Sequence, residues 1–120
     1  HTFGHAFETS SNYGIPHGSA VAMGMIVANR ISVKRKLLDN SFANRIEEVC
    51  KKILTLKLDS SWFEQKKIIS AIKKDKKQIN KNIRAVLMNQ DLNLSIYTDI
   101  RENEIFESID YLIKYLNIKY

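Results

Sequence analysis

Apolar residues recur along this chain at helical spacing over most of its length, with one interval of short β-branched and aromatic runs instead. From His17 to Leu38 the positions Val21, Met25, Ala28 and Ile31 fall four and three residues apart, the spacing that lines one face of a helix. Ala20, Ala22 and Gly24 among them are small enough to let another backbone approach. The spacing predicts a long helix over 17–38, buried along that face in its first half and solvated at Lys34, Arg35 and Lys36. A second helix is expected over 41–56, with Ser41 as its cap after a turn at Asp39 and Asn40, and with Ile46, Val49, Ile53 and Leu56 turned inward. A third should run from Ser61 to Lys74, capped by Ser60 or Ser61 and burying Trp62, Ile68, Ile69 and Ile72. Ahead of these, His1 to Thr9 carries enough small and apolar residues for a helical turn or two. The polar stretch Ser10 to Pro16, broken by Gly14 and Pro16, separates it from the long helix.

The pattern changes at Ile83. The runs Ile83 to Met88 and Leu92 to Tyr97 hold β-branched and aromatic residues and are joined by Asn89, Gln90 and Asp91, which predicts a small hairpin. The tail returns to helical spacing, with Ile105, Ile109, Leu112, Ile113 and Leu116 on one face of Glu102 to Leu116. The fold class expected is therefore mostly α, a multi-helical domain with a small β-hairpin.

At 120 residues and 44% apolar content, one domain can bury a core and a second has little room. No apolar run approaches the roughly 20 residues that cross a bilayer, because the richest stretch is interrupted by Gly24, Asn29 and Arg30. No secretory signal opens the chain, and the single Cys50 forbids an internal disulfide, so a cytoplasmic setting is expected. Cys50 itself falls in the pattern Ile46, Val49, Cys50, Ile53 and reads as a small core residue rather than a nucleophile. The net charge of +6 comes from 19 basic residues interleaved with 13 acids. Its one dense cluster, from Lys66 to Lys81, suits a solvated helix face, a nucleic acid or a phosphorylated substrate.

Chemistry concentrates at the front. All three histidines, His1, His5 and His17, lie in the first 17 residues, and helical packing requires no such crowding. If His1 to Glu8 is helical, His1 and His5 share a face and Glu8 follows on it, with His17 able to close from the next helix. Imidazole suits zinc and similar ions, while satisfied core or capping histidines remain the alternative. A metalloprotease motif fails because Thr2 follows His1, and a cysteine-built zinc site fails with only Cys50.

The order His1-Thr2-Phe3-Gly4-His5-Ala6-Phe7-Glu8, an interval of eight residues, then His17-Gly18-Ser19-Ala20-Val21-Ala22-Met23-Gly24-Met25 closely resembles the signature of 3-dehydroquinate synthases, a family of sugar phosphate cyclases. Further along, Asp75-Lys76-Lys77 and then Ile83 to Met88 resemble the family's later lysine motif and the strand after it. The resemblance implies that residues 1–120 are the helical, metal- and substrate-binding C-terminal domain, with the N-terminal NAD-binding α/β domain absent from this chain. It implies that His1 and His17 are two of three protein ligands of a zinc or cobalt ion. The third would be a glutamate from an earlier part of the polypeptide, so Glu8 does not replace it. His5 aligns with the catalytic histidine near the substrate phosphate, and Lys76 and Lys77 with the pair that includes a substrate-binding cation.

The family's reaction takes a seven-carbon phosphorylated keto-acid sugar to 3-dehydroquinate with loss of phosphate, within the shikimate pathway of aromatic amino acid biosynthesis. It uses bound NAD and the metal ion. None of the four glycines here forms a dinucleotide fingerprint, so NAD is expected on the missing domain and the isolated fragment is expected to be inactive. The partners implied are the phosphorylated sugar-acid substrate and the missing domain, with a homodimer left open and no nucleic acid or membrane. Ser19 stands where many members carry an acid, which keeps a different cyclase, of the 2-deoxy-scyllo-inosose synthase type, as an alternative. A glycerol dehydrogenase-like enzyme shares the two-domain plan but not the lysine motif. A basic helical nucleic-acid-binding module would explain the lysines but not the histidine order.

Overall fold

A central helix organises the packing. In a computed structural model that describes residues 2–74 and 83–118, α2 (His17–Lys34) packs against α1 (Thr2–Ser10), α3 (Asn40–Ile53), α5 (Glu102–Tyr115) and strand β1 (Ile83–Met88). A short 3₁₀ turn (Ser60–Phe63) leads into α4 (Gln65–Lys74), which lies against α1, and β2 (Leu94–Ile100) pairs antiparallel with β1. The expected mostly α fold with one hairpin is what the chain forms.

Small residues set the closest approach. A Cβ on Gly24 would lie 2.9 Å from the backbone nitrogen of Gly4, and one on Gly4 would lie 3.3 Å from the carbonyl oxygen of Ala20. Helices α1 and α2 therefore touch backbone to backbone. Phe3, Ala6 and Phe7 of α1 enter the core, where the Phe7 and Phe63 rings meet at 5.6 Å. After α1 the chain reverses through Asn12 and Tyr13 in the left-handed region. The Ser11 hydroxyl then accepts from the Ile15 N–H at 3.1 Å and seats that side chain in the core.

The inward faces differ from those expected. In α2 the buried apolar residues are Ala20, Met23, Val27 and Ile31 with Ala22 and Ile26, while Val21 and Ala28 are half-buried and Met25 is 42% exposed. Helix α2 is apolar nearly all round, and such a helix has no unique stripe to read. In α3 the buried residues are Ala43, Glu47 and Cys50, whereas Val49 and Ile53 are 60% and 53% exposed. The buried carboxylate explains this turn of the helix. Glu47 accepts from Arg30 Nε and from the Tyr111 hydroxyl, and Arg30 also donates to Asn40 at 2.5 Å and Asn44 at 2.7 Å while lying over the Tyr111 ring. One ionic network thus joins α2, α3 and α5.

Element ends shift for local reasons. Helix α2 stops at Lys34, four residues before Leu38, because Arg35 caps it and Lys36 takes a positive φ. Helix α3 starts after Asp39 as N-cap, with no side-chain cap from Ser41. The expected helix from Ser61 is divided: Asp59 caps the 3₁₀ turn by accepting from the Ser61 N–H at 2.9 Å, and Phe63 is buried where Trp62 was expected. Strand β2 runs on to Ile100, with a register irregularity between Ile83 and Ala85. At the start of α5, the Glu104 carboxylate accepts from the Arg101 N–H at 3.0 Å and takes two contacts from Arg35, at 2.7 and 2.8 Å. The end of α2 is thereby fastened to the start of α5. Among the described residues no helix is long and apolar enough to cross a membrane.

Candidate functional site

Two of the five residues expected at the site lie within the described structure, and they face each other. His5 projects from the middle of α1 and His17 is the first residue of α2, which Pro16 starts with its fixed φ and without a side-chain cap. The two helices cross at Gly4 and Gly24, so the end of α1 that carries His5 and Glu8 lies beside the start of α2. His1, Lys76 and Lys77 lie outside the described residues.

Between the two imidazoles stands Glu8, whose role the sequence did not mark. One of its oxygens is 3.2 Å from His17 Nδ1 and the other 3.4 Å from His5 Nδ1. An ionised carboxylate only accepts, so the His17 Nδ1 in hydrogen-bond contact with it is the donor, while His5 stands beside the other oxygen as an ion-pair neighbour. Glu8 is largely buried, at 14% side-chain exposure, while His5 and His17 are 51% and 67% exposed. A sheltered carboxylate thus stands beside two largely exposed rings. The spacing of His5 and Glu8, three residues apart on one helix, was the available signal.

This is the donor chemistry of a histidine metal ligand, in which the second ring nitrogen bonds a carboxylate. Among the described residues, no group of three His, Cys, Asp or Glu could hold a metal by itself. His17 gives its Nδ1 to Glu8 in a hydrogen bond, and His5 Nδ1 stands 3.4 Å from the other Glu8 oxygen as an ion pair. His17 makes that second-nitrogen contact, through Nδ1 to Glu8. Next to it, Gly18 has open space where a Cβ would stand, and Ser19 is buried in α2.

The remaining candidates resolve as follows. Lys66, Lys67, Lys73 and Lys74 are exposed on α4, with Lys67 3.9 Å from Glu64 and Lys73 3.5 Å from Glu102. They form a solvated helix face. Cys50 is buried, and burial pushes its thiol pKa up, away from nucleophilic use. A groove of about 490 Å³ between the 3₁₀ turn, α4 and α5 contains none of the motif residues.

Comparison with known proteins bears on the same residues. The family described as 3-dehydroquinate synthase C-terminal matches residues 1–78. The chain is 34% identical over 115 residues, 95% of its length, to a 3-dehydroquinate synthase of Streptococcus pneumoniae (strain JJA). It is 35% identical over 89 residues, 73% of its length, to one of Streptococcus thermophilus (strain CNRZ 1066). The matched regions are 31% and 25% of those two proteins, so the chain spans about a third or less of the length of these relatives.

Proposed function

Because the chain belongs to the 3-dehydroquinate synthase C-terminal family, we propose that it is the metal- and substrate-binding part of an enzyme that converts a seven-carbon phosphorylated keto-acid sugar to 3-dehydroquinate with loss of phosphate. The observation that carries this reading is the Glu8 carboxylate between His5 and His17, 3.4 and 3.2 Å from their Nδ1 atoms. That arrangement gathers two histidines of one motif around one sheltered carboxylate.

In this reading His17 and His1 hold a zinc or cobalt ion together with a ligand from the polypeptide outside the chain. The ion supplies Lewis acidity at a substrate hydroxyl, and NAD, bound mainly outside the chain, supplies the redox chemistry. The chain's own contribution is positional. Glu8 bonds the His17 ring at Nδ1, a second-sphere contact whose loss typically weakens metal binding by about 10–100-fold. The other Glu8 oxygen stands 3.4 Å from His5 Nδ1, and His5 takes up or returns a proton beside the substrate phosphate. Lys76 and Lys77 add positive charge for the phosphate and carboxylate of the substrate.

Phosphate release from the seven-carbon substrate by the parent enzyme tests the proposal. His5→Ala should lower kcat by about 10²–10⁴-fold with metal content unchanged, the loss expected for a general acid or base. Unaltered turnover in that variant would remove His5 from the chemistry. The 120 residues alone should release no phosphate.

A further inference from the structure

The start of α2 is not held by a side-chain cap. Pro16 stands as N-cap without a side-chain hydrogen bond, so the direction in which His17 enters the helix is set by the loop before it. That loop is strained. Asn12 and Tyr13 hold φ at 51° and 62°, a region that side chains rarely enter, and such backbone persists only where its surroundings impose it. Tyr13, 72% exposed, has too little packing of its own to do so. Internal bonds fold the loop back on α1. The Tyr13 N–H donates to the Glu8 carbonyl at 2.7 Å, the Gly14 N–H to the Ser11 carbonyl at 3.0 Å, and the Ile15 N–H to the Ser11 hydroxyl at 3.1 Å.

A side chain from outside the loop closes it. The indole of Trp62 lies on Gly14 so closely that a Cβ there would stand 2.9 Å from Cζ2 and 3.3 Å from Cη2. The Trp62 carbonyl accepts from the Ser10 hydroxyl, at the end of α1, at 2.7 Å. Its neighbour Phe63, buried with its ring 5.6 Å from that of Phe7, fixes the 3₁₀ turn to the core. Trp62 thus grips both the end of the helix that carries His5 and Glu8 and the loop that leads to His17. These two pieces meet where Glu8 and His17 come within 3.2 Å.

We infer that Trp62 is a positioning residue: pressed on Gly14 and bonded through its carbonyl to Ser10, it holds the loop so that His17 Nδ1 reaches Glu8. It acts on His17 through the backbone of residues 11–16. A shift of about 1 Å at the start of α2 would take the imidazole out of hydrogen-bond range of the carboxylate. The consequence for the enzyme rests on the reading of His17 as a metal ligand, whereas the placement of the loop rests on the geometry alone.

The test uses the full-length parent enzyme and reads backbone hydrogen exchange over residues 10–20 together with the affinity for zinc. Trp62→Leu, which takes the ring off Gly14, should speed exchange over 10–20 by about tenfold and leave α5 unchanged, the mark of local opening. It should also weaken zinc binding by about tenfold, the low end of what loss of a second-sphere contact costs. Trp62→Phe, which keeps a ring at the position, should retain most of both. Gly14→Ala drives a methyl into the indole and should act in the same direction, which serves where Trp62→Leu fails to fold. Ile109→Val, a core change on α5, should move neither readout. In a Glu8→Ala background Trp62→Leu should cost little further zinc affinity, because both changes act on one contact. Unchanged exchange over 10–20 in Trp62→Leu and Gly14→Ala overturns the inference, and so does equal acceleration in Ile109→Val. A zinc affinity that falls by the same factor with and without Glu8 makes Trp62 a general stabiliser and overturns it too. A wild-type enzyme that binds no metal sinks the proposed function alone, and the exchange over 10–20 then decides the inference.

Discussion

Replacing Glu47 by alanine should be among the most damaging single changes in the domain. Its side chain is 1% exposed and accepts from Arg30 Nε and the Tyr111 hydroxyl, and Arg30 is itself only 11% exposed. Removing one partner of a buried ion pair leaves the other charge uncompensated, at a cost of about 3–5 kcal/mol. Arg30 keeps Asn40 and Asn44, which places the loss toward the lower end, about 3 kcal/mol. For a domain of this size that corresponds to roughly 10–15 °C in Tm. Urea denaturation of the parent protein, followed by a probe on this domain, measures it. Glu47→Gln, which keeps an acceptor oxygen for one of the two donors, should lose less than Glu47→Ala. The same series has a spectroscopic readout. Burial first, and then the bond to Glu47, push the Tyr111 pKa up to about 12. A phenol raised in the folded state contributes stability in full below its ordinary pKa and loses it as pH rises through about 12. Glu47→Gln removes the negative charge beside the phenol and should bring the ultraviolet titration of Tyr111 part of the way back. A Glu47→Ala protein within about 1 kcal/mol of wild type would refute the reasoning, because a buried charge would then have been freed at the cost of a surface contact.

Gly24→Ala should destabilise by about 1–2 kcal/mol despite its better helix propensity, since its Cβ meets backbone of α1 at 2.9 Å and two helices must part; denaturation read beside Gly4→Ala, whose contact is 3.3 Å, should rank the two in that order. Acid should loosen the joint between α2 and α5. The Arg35 guanidinium holds the Glu104 carboxyl below its ordinary value, so the stability it provides is present above the ordinary glutamate pKa and lost as pH falls through the lowered one. Arg35→Met should flatten the acid limb of the stability profile, and an unchanged limb would dismiss the pair.

Much of the architecture was legible because periodicity reports burial directly. The tail helix shows this best: Ile105, Ile109, Leu112 and Ile113 are all buried, as their spacing requires. What misled was burial of another kind. On α3 the spacing of Ile46, Val49 and Ile53 points inward, but Arg30 meets Glu47, and that ionic contact turns Ala43, Glu47 and Cys50 to the core. Periodicity of apolar residues is blind to a buried charge that arrives with its partner. On α2 the stripe of Val21 and Met25 reads as buried and stands partly exposed, because a helix apolar nearly all round has no unique stripe. At the site, the order and spacing of His5 and His17 carried the family, whereas the carboxylate joining them became apparent only once Glu8 was seen against both rings. Lys76, Lys77 and His1 rest on the resemblance alone.

Elemental analysis of the purified parent enzyme, with and without His17→Ala, bears most directly on the central claim that His17, oriented by Glu8, is a metal ligand. The account predicts about one zinc or cobalt ion per chain in the wild type and a loss of most of it in the variant, with the fold retained by circular dichroism. Full metal occupancy in His17→Ala would contradict it.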